Sequence, residues 1–252
     1  MDSGTVVTAR HCGTPVLANR YIRSRPTRAV NVTDDPHRGQ PSEYAGAPLR
    51  VADAALVLLH GRGSTARDVL GLTERFHRHG VAYVAPQARY NRWYPRSFLA
   101  PVESNETHLS SALAAVDAAV AGVVEGGVPL DHVVVCGFSQ GACLAAEYVA
   151  RNSRRYGGLV VLSGGLVGPE GVTFEYGGDL AGTPVFLGCS DVDPYVPVER
   201  VHESTAVFER LGGDVTERIY EGMAHVVTDD EVAFVGELLD GLLASEREGD
   251  HI

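Results

Sequence analysis

From about residue 50 onward, short apolar runs alternate with longer segments of helical spacing, and that alternation leaves few folds open. ADAALVLLHGRG, GVAYVAPQA, HVVVCGFSQG, GLVVLSGGL, TPVFLGCSDVD and VTERIYEGMAH read as six strands. Segments near 65–79, 107–125, 140–154, 198–212 and 229–245 read as the helices between and after them, with Asn105 or Thr107 capping the second. Four of the strand runs are almost wholly apolar, as strands of a parallel sheet covered on both faces must be. The expected class is therefore α/β, with a mostly parallel, doubly wound sheet and helices on both faces.

At 252 residues this pattern fits one large domain over residues 49–252, preceded by a different kind of sequence. Residues 1–48 are rich in Arg, Pro, Thr and Asp and read as a partly ordered extension, in which GTPVLANRYI could supply an edge strand. The net charge of -11 argues against a nucleic-acid partner, because phosphate binding needs a concentrated basic face. All 21 basic residues are arginine, which reads as compositional bias or salt adaptation. The apolar runs are strand-sized, so no membrane span or secretory leader is expected, and a cytoplasmic location follows as an expectation. Cys12, Cys136, Cys143 and Cys189 form no CxxC pair and read as reduced thiols, three of them in apolar surroundings.

The chemistry concentrates in Gly137-Phe138-Ser139-Gln140-Gly141, where an apolar strand turns at once into an alanine-rich helix. Such a turn strains the residue at its apex, and glycines two positions to either side remove the side chains that would collide. Ser139 is thereby lifted clear of the sheet at a helix N-terminus, whose free N–H groups favour a developing anion. A serine hydroxyl is a weak nucleophile and needs a base, which in turn needs an orienting acid.

Both partners should lie on loops beyond later strands. His225 closes IYEGMAH just after the last strand, whereas His202 falls inside a helix and His251 in the charged tail. GCSDVDPYVP offers two acids; Asp193 is preferred because Pro194 fixes the turn after it, leaving Asp191 as a helper or capping residue. Oxyanion donors are expected from the backbone N–H of Gln140 and of Arg62, between the two glycines of HGRG, with His60 bracing that loop. HGRG lacks the spacing and lysine of a phosphate-binding P-loop. Trp93, Tyr94, Phe98, Leu166 and Val196 are candidates to line an acyl pocket.

In order along the chain, LLHGRG, WYPRSF, GFSQGACLA, LSGGL, DVDPYVP and GMAH resemble the phospholipase/carboxylesterase branch of the α/β-hydrolases, over about residues 54–245. That branch includes small bacterial carboxylesterases and acyl-protein thioesterases. The resemblance implies Ser139 as nucleophile, Asp193 as acid, His225 as base, and the amides of Arg62 and Gln140 as oxyanion donors. Ala142 stands where many relatives carry a further glycine, and RWYPRSF where the thioesterases carry a shorter aromatic and acidic motif, which favours a bacterial esterase. The expected activity is hydrolysis of short to medium acyl esters through an acyl-enzyme, with no cofactor and no metal. The alternatives are a lysophospholipase or acyl thioesterase of the same family, and a dienelactone-hydrolase-like enzyme, which usually has cysteine at the apex. The expected partner is a small-molecule acyl ester; a homodimer is compatible with the sequence, though no residues specify one.

Overall fold

The computed structural model describes Met1 and residues 35–249, with side chains to residue 244. GTPVLANRYI, Cys12 and His251 lie outside the described residues.

Seven strands make one sheet: β1 (Ser42–Gly46), β2 (Ala54–Leu59), β3 (Val81–Pro86), β4 (Val133–Phe138), β5 (Gly158–Leu162), β6 (Pro184–Ser190) and β7 (Asp214–Tyr220). Their order is β1-β3-β2-β4-β5-β6-β7, with β1 antiparallel to β3 and every other pair parallel. Six of these are the expected strands. The seventh, β1, comes from the segment read as an extension, so the described sheet begins at Ser42. Strands β2 and β3 are buried at every position, and β1 is half-buried to exposed.

Five helices cover the two faces: α1 (Ala66–Gly71), α2 (His108–Glu125), α3 (Gln140–Arg151), α4 (Val198–Arg210) and α5 (Asp229–Gly249). The strand side-chain period of two divides the core. Ala55, Val57 and Leu59 point to the face packed by α2, α3 and α4. Ala54, Leu56 and Leu58 point to the face packed by α1 and α5. Helix α2 is long and apolar enough to cross a membrane by length and composition, which the strand-sized apolar runs had not suggested. Its Leu109, Ala112, Val116, Val120 and Val123 are instead buried in the core, and its Asp117 accepts a hydrogen bond from Tyr148 at 2.9 Å.

The chain proceeds from β2 outward to β3 and then returns across β2 to β4, which makes the carboxyl ends of β2 and β4 a switch point of the winding, where open α/β sheets have their crevice. Leu59 and Gly137 are register partners there, so the loop after β2 and the turn after β4 start side by side.

Candidate active site

Ser139 follows β4 directly and is the N-cap of α3, with φ 56° and ψ -120°. That left-handed backbone is strained for any residue with a Cβ. Gly137 and Gly141 make it feasible. A Cβ on Gly137 would run into the Gly141 carbonyl, and one on Gly141 into the Leu59 carbonyl. The Ser139 N–H donates to the Leu162 carbonyl (2.9 Å), and its own carbonyl accepts from Cys143 N–H (3.0 Å). Ala142 is fully buried, and its methyl sits where a Cβ on Gly164 would go, so Gly164 leaves room for it.

The loop after β2 lies against this turn, with an added Cβ at Gly61 only 3.5 Å from the Ser139 Cβ. His60 is completely buried; its Nδ1 is 2.8 Å from the Gly61 carbonyl and its Nε2 accepts from Ala88 N–H at 3.1 Å. Burial pushes its pKa down, as suits a neutral bracing ring. Among the described residues the backbone N–H of Arg62 has no intramolecular partner, and that of Gln140, first in α3, has none within the helix. The Arg62 side chain turns away from its own amide and donates to the carbonyls of Tyr94 (3.0 Å), Pro95 (3.0 Å) and Arg96 (2.7 Å).

From the other side of the cleft, β6 delivers Asp193 and β7 delivers His225. His225 Nδ1 is 2.6 Å from Asp193 Oδ2, and the Asp193 side chain is fully buried. A carboxylate accepts only, so Nδ1 is the nitrogen that donates here, which turns Nε2 away from Asp193. Asp193 Oδ1 accepts from the N–H groups of Tyr195 (2.9 Å) and Val196 (3.1 Å), which fixes the carboxylate. The imidazole packs against Phe138 and Tyr195, with ring centroids 4.9 and 5.0 Å away. Asp191 does not approach His225. Its Oδ1 accepts from Gly222 N–H at 2.7 Å and ties the loop after β6 to the loop after β7. His202 pairs with Glu217 at 2.9 Å on the α4–β7 side.

Ser139, His225, Arg62 and Gln140 all line one cleft of about 570 Å³, whose walls include Tyr94, Phe98 and Val196. Trp93 and Leu166 do not line it, contrary to the sequence reading. Trp93 turns its indole inward, donating from Nε1 to the His60 carbonyl at 2.8 Å. Leu166, in the loop after β5, is fully buried, its N–H taken by Ser204 and its carbonyl by the buried Arg200. Neither Asn105 nor Thr107 caps α2 through its side chain: Thr107 occupies the N-cap position without a side-chain cap hydrogen bond, and Asn105 pins the cleft wall through Arg96 N–H (2.8 Å) and the Ser97 carbonyl (2.9 Å).

The three described cysteines are free thiols, each pushed up to about 12 by burial, so none is poised as a nucleophile. No cluster of three or more His, Cys, Asp or Glu side chains fit to hold a metal occurs among the described residues.

One role at the site escaped the sequence reading. The buried Gln140 side chain accepts from Trp93 N–H and donates to the Tyr94 carbonyl, both at 2.9 Å. A glutamine beside the elbow carries no mark of so distant a pair.

Residues 46–243 match the family described as phospholipase/carboxylesterase. A crystal structure of a phospholipase/carboxylesterase from Dyadobacter fermentans is similar at 42% identity and TM-score 0.76, covering 79% of this chain and 96% of that one. The carboxylesterase of Bacillus cereus, at 21% identity and TM-score 0.66, shares the fold over 84% of this chain and 99% of its own. Acyl-protein thioesterase 1 of Candida albicans is 31% identical over 112 residues, 43% of this chain and 48% of the thioesterase. The matched part thus spans about half the length of that relative.

Proposed function

The chain belongs to the phospholipase/carboxylesterase family, and from that premise we propose that it is a serine hydrolase cleaving short to medium acyl esters through an acyl-enzyme. The observation that carries this reading is the 2.6 Å pair of the buried Asp193 carboxyl with His225, whose ring lines one cleft together with Ser139, Arg62 and Gln140.

In the first step the Ser139 hydroxyl attacks the ester carbonyl while His225 Nε2 takes its proton. Asp193 holds the imidazole in its Nδ1–H tautomer and stabilises the imidazolium. The carbonyl oxygen becomes an oxyanion facing the N–H groups of Arg62 and Gln140. His225 returns the proton to the departing alcohol, and water attacks the acyl-enzyme by the same route. A thioester would follow the same steps with a thiol leaving, in keeping with the names of the fungal relatives. Phe98, Phe138 and Val196 give the acyl chain an apolar wall.

Hydrolysis of p-nitrophenyl butyrate by Ser139→Ala beside the unaltered protein tests the reading: turnover should disappear, and near-native turnover would refute it. A chain-length series of esters, thioesters and lysophospholipids, compared by kcat/KM, ranks the substrates.

A further inference from the structure

Residues 35–40 precede the stretch that matches the family, yet one of them reaches the frame that holds both candidate oxyanion amides. Trp93 is the hub of that frame. Its N–H donates to Gln140 Oε1 at 2.9 Å, its indole Nε1 to the His60 carbonyl at 2.8 Å, and its own carbonyl lies 2.8 Å from Nε2 of His37. His37 Nδ1 accepts from Arg89 N–H at 3.1 Å. One imidazole therefore bridges two backbone groups of the loop after β3, in its Nε2–H tautomer.

That loop is a single 3-10 turn, Arg89–Asn91, with a strained backbone. Tyr90 and Asn91 both have positive φ, 54° and 57°, and neither is glycine. Each amide is tied to it. The Asn91 carbonyl accepts from Gly63 N–H at 2.6 Å, next to Arg62. The Arg62 guanidinium grips the Tyr94, Pro95 and Arg96 carbonyls, and the Gln140 side chain grips Trp93 and Tyr94. His37 is itself fixed, 3% exposed, with its N–H on Ser111 Oγ (2.8 Å) and that hydroxyl on Asp35 (2.5 Å).

We infer that His37 is a positioning residue for the oxyanion hole, acting through Trp93, and that the strap from Asp35 to Gln40 is a working part of the active site. The inference rests on the serine-hydrolase reading. A displacement of about 1 Å in such donors costs up to about a hundredfold in rate, while substrate binding in the ground state is touched far less.

The test measures kcat and KM separately on p-nitrophenyl butyrate for the unaltered protein, His37→Ala and His37→Gln, with circular dichroism to check folding. Glutamine places an amide donor close to where Nε2 stands. His37→Ala should lose about tenfold or more in kcat with KM changing less than about threefold, and His37→Gln should recover most of that loss. Unchanged kcat in folded His37→Ala, or equal losses in both variants, would overturn the inference. If His37→Ala does not fold, His37→Leu takes its place with the same outcomes: a fall in kcat without a matching rise in KM supports the role, and unchanged kcat refutes it. Ser139→Ala in the same assay separates the two readings, because its failure to abolish turnover would remove the hydrolase reading itself.

Discussion

His225 Nδ1 and Asp193 Oδ2 meet at 2.6 Å although they stand 32 positions apart, with helix α4 and strand β7 between them. The parallel pairing of β6 with β7 makes the meeting unavoidable, because both strands end at the same edge of the sheet and release their loops side by side.

Asp193→Asn should therefore lower kcat by about 10³- to 10⁴-fold, since an amide in that place no longer favours the Nδ1–H tautomer. Asp191→Asn should cost far less, because Asp191 touches Gly222 and not the imidazole. Steady-state kinetics of the two variants side by side checks this, and equal small losses would transfer the role away from Asp193.

Gln140→Ala keeps the backbone amide but strips the clamp from Trp93 N–H and the Tyr94 carbonyl, both buried. The loss in stability should be about 1–3 kcal/mol by urea titration. A tenfold or greater fall in kcat should accompany it, as the loop facing Arg62 loosens.

How far the sequence already spoke differs by element. Six of the seven strands, five of them largely buried, and the five helices were legible because the period of the apolar pattern changes between them, although the helix expected over 65–79 ends at Gly71 and continues only as a 3-10 turn to Arg75. The serine elbow was legible because its glycines are demanded by local backbone collisions. Strand β1 was not, since SEYAG is polar, ends in glycine and is half-exposed at the sheet edge. Trp93 and Leu166 were assigned to the cleft because they neighbour its motifs, but adjacency along the chain does not say to which side of the backbone a side chain turns. The bridge made by His37 spans 56 residues to Trp93 and has no local signature at all.

The strain at Ser139 has a measurable consequence. Both Ser139→Gly and Ser139→Ala remove the hydroxyl, but only glycine accepts φ 56° without steric cost. After the greater freedom of glycine in the unfolded chain is offset, Ser139→Gly should be more stable than Ser139→Ala by about 1 kcal/mol in chemical denaturation.

His37 and His60 both have pKa values lowered from 6.5, chiefly by burial. The unfolded chain binds their protons first, so their contribution to stability is present above about 6.5 and is lost as the pH falls below it. The carboxylates with lowered values, Asp68, Asp230 and Asp240, act only near and below 3.8. Buried Glu231, whose pKa burial raises from 4.5, acts in the opposite sense as the pH falls, so the histidine share is read as a difference: going from pH 7 to pH 5 should cost the unaltered protein more melting temperature than it costs His37→Gln.

As the proposed nucleophile, Ser139 should be the residue that a serine-directed phosphonylating reagent modifies. The most direct measurement is reaction with a fluorophosphonate followed by peptide mass mapping: the serine oxygen bonds to phosphorus, fluoride leaves, and His225 takes the proton. One phosphonyl group per chain is expected, on the peptide containing Ser139, with loss of esterase activity in step with labelling. Labelling of a different residue, or full activity in protein labelled at Ser139, would contradict it.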